Sequence, residues 1–270
     1  FKDEVMWLGL SGSGALFTFD GTKLVLKLKG DNIAVGDNPI DYARIAIYVD
    51  SKRVVDEMID CAEKEVTVID RTENAQSVVE IIKLSESPMS AVGVEAFAEG
   101  SAEALPEKPL KIEFIGDSIT CGYGVDDEDE NHQFTTATED VTKAYAYKTA
   151  KALDAEYSMF SASGYGIVSG YTEGDEPISE QTIPQFYCSY GFSRGNFAGT
   201  APQDIPWDFS KYIPQIIVIN LGTNDDSYCR DYKDRQDVFS KLYADFLAVV
   251  REKNPQAYIL CTVGIMGERI

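Results

Sequence analysis

Three short segments carry residue types that acyl transfer needs. They are Gly116-Asp117-Ser118-Ile119-Thr120, Ser161-Ala162-Ser163-Gly164-Tyr165-Gly166 and Leu221-Gly222-Thr223-Asn224-Asp225. A serine hydroxyl such as that of Ser118 can attack a carbonyl carbon. The oxyanion that results needs fixed donors roughly 3 Å away, and the N–H of Gly164, the carboxamide of Asn224 and the N–H of Ser118 itself are of the right kind. Glycine suits the second position because backbone can approach closely where no Cβ stands.

Each segment follows a run that reads as a strand. Ile112–Ile115 is the first, Ala155–Phe160 the second and Ile216–Asn220 the third, the last apolar enough to be buried on both faces. Helical periodicity lies between them. Val141–Leu153 reads as a helix that Thr138 or Asp140 can cap. Arg235–Glu252 is the stronger helix, with Phe239, Leu242, Tyr243, Phe246, Leu247, Val249 and Val250 on one face and Asn254-Pro255 as its stop. Tyr258–Val263 reads as a fourth strand. Strands alternating with helices predict an α/β doubly wound parallel sheet, in which ligands bind beyond the carboxyl ends of the strands. With strand order 2-1-3, Ser118, Gly164 and Asn224 meet around one cavity.

The first 99 residues have a different rhythm. Ala15–Asp20, Lys23–Lys29, Ala43–Asp50, Glu65–Arg71, Ser77–Leu84 and Ala91–Ala98 read as strands, with Asp20-Gly21 and Asp50-Ser51-Lys52 as hairpin turns. Asp56–Glu65 could be a helical turn. The expectation is an all-β jelly-roll or β-sandwich domain over 1–99, a Pro- and Gly-containing linker over 100–109, and the α/β domain over 110–270.

Composition narrows the function. Twenty-four Lys and Arg against 45 Asp and Glu give a net charge of −21. So acidic a surface repels phosphate backbones and anionic lipid, which argues against nucleic-acid and membrane partners. No apolar run approaches the roughly 20 residues of a membrane-spanning helix. Five scattered cysteines fit neither a disulfide framework nor a zinc site, although a Cys188–Cys229 bridge remains open. Cys121 reads as a small buried hydrophobe.

Other features invite chemistry that their context does not support. His132, the single histidine, follows an acidic run from Asp126 to Glu130 and reads as a solvated loop residue. That run lacks the alternating spacing of a calcium loop, so no metal is expected. Gly164 to Gly170 spaces its glycines wrongly for a dinucleotide site. Residues 167–212 form a long aromatic-rich insertion holding Tyr171, Phe186, Tyr187, Tyr190, Phe192, Phe197 and Trp207. Its rings suit either stacking on sugars or packing on each other. Tyr123, Tyr165 and Tyr228 adjoin the three segments and, with Trp207, are the candidate substrate-binding residues.

Taken together, the three segments resemble the conserved blocks of the SGNH (GDSL-type) hydrolases, and the wider pattern is similar to carbohydrate esterase family 2. Ser11-Gly12-Ser13-Gly14, Gly122-Tyr123-Gly124 and Thr138-Glu139-Asp140-Val141-Thr142-Lys143 also look like stretches of that family. The resemblance implies an N-terminal jelly-roll on an SGNH domain and removal of O-acetyl groups from plant polysaccharide such as xylan or glucomannan. It also implies Ser118 as nucleophile, Gly164 and Asn224 in the oxyanion hole, no cofactor, and a secreted or cell-surface location. The expected partner is thus acetylated polysaccharide or oligosaccharide, with oligomeric state left open. The family's base is a histidine in an Asp-x-x-His block after the Asn block. No such block follows Asn224 here, so little esterase activity is expected of a polypeptide ending at Ile270. Two rival functions remain: an SGNH esterase of another acyl substrate, and a carbohydrate-binding protein that has lost catalysis.

Overall fold

A computed structural model describes residues 4–262, 264 and 265. The N-terminal part is one six-stranded antiparallel sheet. Its strands are β1 (Met6–Leu8), β2 (Gly14–Gly30), β3 (Ala43–Val49), β4 (Lys52–Ile59), β5 (Glu63–Lys83) and β6 (Val92–Ala104), in spatial order β1-β6-β2-β5-β3-β4. Strands β2 and β5, 17 and 21 residues long, are too long to lie flat. Register shifts after Gly21 and Leu24 bend them, as bulges do. The sheet curls around an apolar core that includes Phe19, Leu24, Leu26, Leu28, Ile45, Ile47, Ile59 and Ile81. Burying each such side chain contributes roughly 1.5–3 kcal/mol.

Several sequence expectations change here. Asp20-Gly21 is not a hairpin turn. It lies inside β2, paired with β5 on one side and β6 on the other. A Cβ on Gly21 would stand 2.4 Å from the Glu99 carbonyl oxygen and 2.5 Å from the Phe19 ring, so close approach, not turn geometry, requires the glycine. Glu65–Arg71 and Ser77–Leu84 are likewise one bent strand, and most of Asp56–Glu65 is strand, not helical turn. Residues 100–104, read as linker, continue β6. The Asp50-Ser51 turn is present, both residues taking positive φ (50° and 67°) as a two-residue hairpin demands.

The second part is a four-stranded parallel sheet of β7 (Lys111–Gly116), β8 (Glu156–Ser161), β9 (Ile216–Asn220) and β10 (Tyr258–Thr262), in order β10-β9-β7-β8. Val263, read as the end of the last strand, lies outside the described residues. The helices are α1 (Ser118–Cys121), α2 (Tyr145–Ala152), α3 (Thr223–Cys229) and α4 (Lys233–Lys253). Side chains alternate along β7 and so serve two faces. Ile112 and Phe114 pack with Ala146 and Ala150 of α2, while Ile115 packs with Phe246 and Val250 of α4. Helix α4 starts within two residues of the sequence reading, but Leu242 and Val249 of its proposed apolar face are 39% and 36% exposed. The short α3 was not read from sequence. The two parts share a core: Ala46, Ile82 and Leu84 of the first join Ile112, Phe114 and Met159 of the second.

Candidate active site

Register brings the three segments level. Gly116 at the end of β7 pairs with Ser161 of β8 on one side and Asn220 of β9 on the other. The loops that follow therefore start side by side, in the 2-1-3 order expected. Asp117, fully buried, accepts the Ile119 N–H (3.0 Å) and caps α1, whose first residue is Ser118. The Ser118 carbonyl accepts the N–H groups of Gly122 and Tyr123, both at 3.1 Å, which closes the turn.

Ser118 opens onto a cleft of about 700 Å³, lined also by Tyr123, Lys143, Tyr145, Asn220 and Thr262. Tyr145 donates to or accepts from Thr120 (3.1 Å), and burial pushes its phenol up to about 12. Gly164 takes a φ of +80°, which glycine adopts without strain, and no atom lies within 4 Å of where its Cβ would be. The sequence argument for this glycine was close approach. The structure adds a backbone conformation and open space.

Asn224 is 7% exposed and sits in α3. Its Nδ2 donates one hydrogen to the Tyr165 carbonyl (2.8 Å), which ties it to the Gly164 loop and leaves the second hydrogen of the amide to point elsewhere. Asp225 strengthens the same tie. Its buried carboxylate accepts the N–H groups of Ile167 (2.9 Å), Val168 (2.6 Å) and Ser169 (3.1 Å). Desolvation still raises its pKa to about 6.

The candidate substrate-binding residues divide. Tyr123 lines the cleft, is 45% exposed and stacks on Phe134 with ring centroids 5.0 Å apart. Tyr165 instead packs its ring on Phe186 and Phe192, and Tyr228 lies under the Arg235 guanidinium at 4.4 Å. Trp207 lines a separate hollow of about 120 Å³ with Glu113, Tyr187 and Tyr190. The insertion's rings mostly pack on one another: Phe186 on Phe192, Tyr187 on Phe209, Tyr190 on Phe197.

His132 is exposed and its Nδ1 lies 2.8 Å from Asp127 Oδ1. An Asp-x-x-His spacing does occur here, from Asp129 to His132, but it precedes the Asn block and lies in this loop. The acidic turn satisfies itself, Asp127 and Asp129 accepting N–H groups from Asp129 and Asn131. Among the described residues no histidine lines the Ser118 cleft. All five cysteines are free, Cys229 buried and Cys188 exposed, so the open Cys188–Cys229 bridge is not formed. Burial drives the Cys121 thiol well above its ordinary range, which makes it inert.

The loop from 122 to 143 is pinned from the N-terminal sheet. Arg44 pairs with Asp56 and Asp126 (both 2.8 Å) and donates to the carbonyls of Ala137 and Glu139, while Arg53 pairs with Asp140 (2.8 Å). Sequence reading missed Glu86 and Lys83, both fully buried beneath this site. Lys83 ends an apolar run, Ile81-Ile82-Lys83-Leu84, and a charge there was the available signal.

Comparison with known proteins agrees with this fold. The GDSL-like Lipase/Acylhydrolase family matches residues 114–269. The cellulase/esterase CelE of Acetivibrio thermocellus is 37% identical over 187 residues, which is 68% of this chain and 21% of CelE. An acetylxylan esterase / glucomannan deacetylase of Cellvibrio japonicus is 28% identical over 268 residues, 97% of this chain and 68% of the relative. A family two carbohydrate esterase from Clostridium thermocellum, solved in complex with cellohexaose, superposes with a TM-score of 0.80 at 27% identity. The match covers 98% of this chain and 75% of that one. The chain thus spans about a fifth of CelE and about two thirds of the Cellvibrio relative.

Proposed function

Because the chain belongs to the GDSL-like lipase/acylhydrolase family, we propose that it is the core of a serine esterase that removes acetyl groups from plant cell-wall polysaccharide such as xylan or glucomannan. The observation that carries this reading is the level ending of β8, β7 and β9, with Ser118 facing open space. The Ser118 hydroxyl attacks the acetyl carbonyl carbon, forming a tetrahedral oxyanion. The N–H of Gly164 and the unused hydrogen of the Asn224 carboxamide stabilise it, more strongly than they bind the ground-state ester. Collapse expels the sugar oxygen, which takes up the proton that Ser118 gave up on attack, and leaves acetyl-Ser118, which water cleaves to acetic acid and free Ser118.

Tyr123 on its Phe134 support is the sugar-facing ring of this proposal, flat, half exposed and beside the nucleophile. The curled N-terminal sheet is read as a jelly-roll over 1–99 that braces the 122–143 loop through Arg44 and Arg53. Polymeric substrate places the protein outside the cell.

A second reading, carbohydrate binding without turnover, is favoured by one observation: no described histidine lines the cleft to take the Ser118 proton. Acetate release from acetylated xylan and glucomannan by the full-length protein decides between them. Release that Ser118→Ala abolishes supports the esterase. Retention on these polymers with no release supports the binding protein.

A further inference from the structure

Beneath the cleft lies a buried cluster that the esterase reading does not use. Glu86 comes from the connection between β5 and β6, far in sequence from the three loops, and is fully buried. Its Oε2 accepts the N–H of Ser163, the residue before Gly164. The same atom accepts the thiol of Cys121 (3.4 Å), the last residue of α1. One carboxylate oxygen therefore joins the nucleophile's helix to the loop of the second donor. The Glu86 N–H donates to Oε2 of Glu139 (3.0 Å), which is also fully buried, so the two carboxyl groups face each other. Apart from that mutual contact, the Oε1 atoms of both residues are buried with no hydrogen-bond partner.

Two carboxylates in contact in a dry interior do not both stay ionised. A single proton held by the pair leaves it with one negative charge. The remaining neighbours fit that charge state. Lys83 donates to the carbonyls of Ser85 (2.8 Å) and Glu86 (2.7 Å), so one cation faces one net anion. Asp31 also faces Lys83, but its oxygens are occupied by the N–H groups of Ile33, Ala34 and Ala91 and the hydroxyl of Ser90. The Cys121 thiol and the Tyr123 phenol, the other titratable groups that face the pair, are both held protonated by burial and by its charge.

We infer that Glu86 is a positioning residue for the esterase reaction: as the ionised member of a proton-sharing pair with Glu139, it fixes Ser163 and thereby aims the N–H of Gly164 at the oxyanion. The inference rests on the oxyanion role proposed above for Gly164. Burial raises both carboxyls. Oε2 of Glu86 accepts two donors, the Ser163 N–H and the Cys121 thiol, where Oε2 of Glu139 accepts only the Glu86 N–H, so the negative charge sits on Glu86 and the proton on Glu139. The N-terminal sheet then supplies, through the turn after β5, a side chain on which the geometry of the reaction depends.

The test uses the full-length protein. An infrared spectrum at about pH 8.5, above the range where most buried acids ionise, shows the C=O stretch of a protonated carboxyl, and Glu139→Gln removes it. Toward an aryl acetate, Glu86→Gln lowers kcat about 10-fold or more with KM changed less than about 2-fold, because the lost interaction acts in the transition state. Glu139→Leu lowers kcat similarly, and Glu139→Gln, whose amide donates to Glu86 as the acid did, restores most of it. Ser118→Ala runs beside them: if it keeps activity, the serine esterase reading itself falls. If Ser118→Ala is inactive but Glu86→Gln keeps the wild-type kcat, the Glu86 inference is overturned. Should Glu86→Gln fail to fold, absence of the infrared band from the wild type, or failure of Glu139→Gln to outperform Glu139→Leu, overturns it equally.

Discussion

Two buried glutamates, one inside β7 and one in the connection after β5, behave differently. Glu113, three residues before the end of β7, is 8% exposed and accepts a hydrogen bond from the Tyr187 hydroxyl (3.0 Å), which in turn accepts one from Asn254 (2.9 Å). Its neighbours are neutral, and desolvation raises its pKa to about 7. Glu86, beneath the carboxyl ends of the strands, meets a lysine, a second glutamate, a thiol and the backbone of a loop beside Ser118. The first is a carboxyl satisfied within a packed wall. The second is embedded in charge and tied to the residues assigned to chemistry. The difference teaches that burial alone does not mark function; what the buried group holds does.

Mutations in the two regions sharpen the contrast. Ser118→Ala has the largest expected effect, a loss of acetate release of about 10⁴-fold or more with an unchanged circular dichroism spectrum. Asn224→Ala follows, lowering kcat by roughly 10²–10³-fold, the scale of one oxyanion donor. A kinetically silent Asn224→Ala removes it from the oxyanion assignment.

Around Glu113 the expected readout is stability. Glu113 holds its proton more tightly folded than unfolded, from an ordinary value of 4.5 to about 7. The folded state therefore binds more protons across that interval, and stability falls as pH rises through it. Glu113→Gln abolishes this slope and stabilises the protein above about pH 7 by about 3 kcal/mol, with kcat unchanged. Urea denaturation at about pH 5 and about pH 8 measures it; an unaltered slope contradicts the assignment. The smallest effect is expected of Trp207→Ala. Trp207 packs on Tyr190 (5.8 Å) beside Glu113, so KM for acetylated xylan shifts less than about 2-fold. A larger rise in KM returns Trp207 to the substrate path.

The sequence made the parallel sheet legible because its strands are short apolar runs followed by distinctive loops, and the 2-1-3 order supposed for them is the order found. The loops that carry Ser118, Gly164 and Asn224 were legible for the same reason. The curled sheet was less so. A dipeptide such as Asp20-Gly21 signals a turn when read locally, but tertiary pairing on both sides of β2 overrides it. Tyr165 and Tyr228 illustrate a second limit: proximity in sequence to a loop does not say which way a ring turns, and here one packs on Phe192 and the other under the Arg235 guanidinium. Glu86 and Asp225 were invisible as anchors because their partners are backbone N–H groups 77 and 56–58 residues away, which leave no trace in residue type.

The most direct test of the converging loops is chemical labelling of the nucleophile. The full-length protein is treated with a fluorophosphonate and the adduct mapped by mass spectrometry. One adduct on Ser118, formed about 10²-fold more slowly in Asn224→Ala and in step with loss of acetate release, is the expected result. Acetate release that continues with Ser118 unmodified, or inactivation by an adduct on another residue, contradicts it.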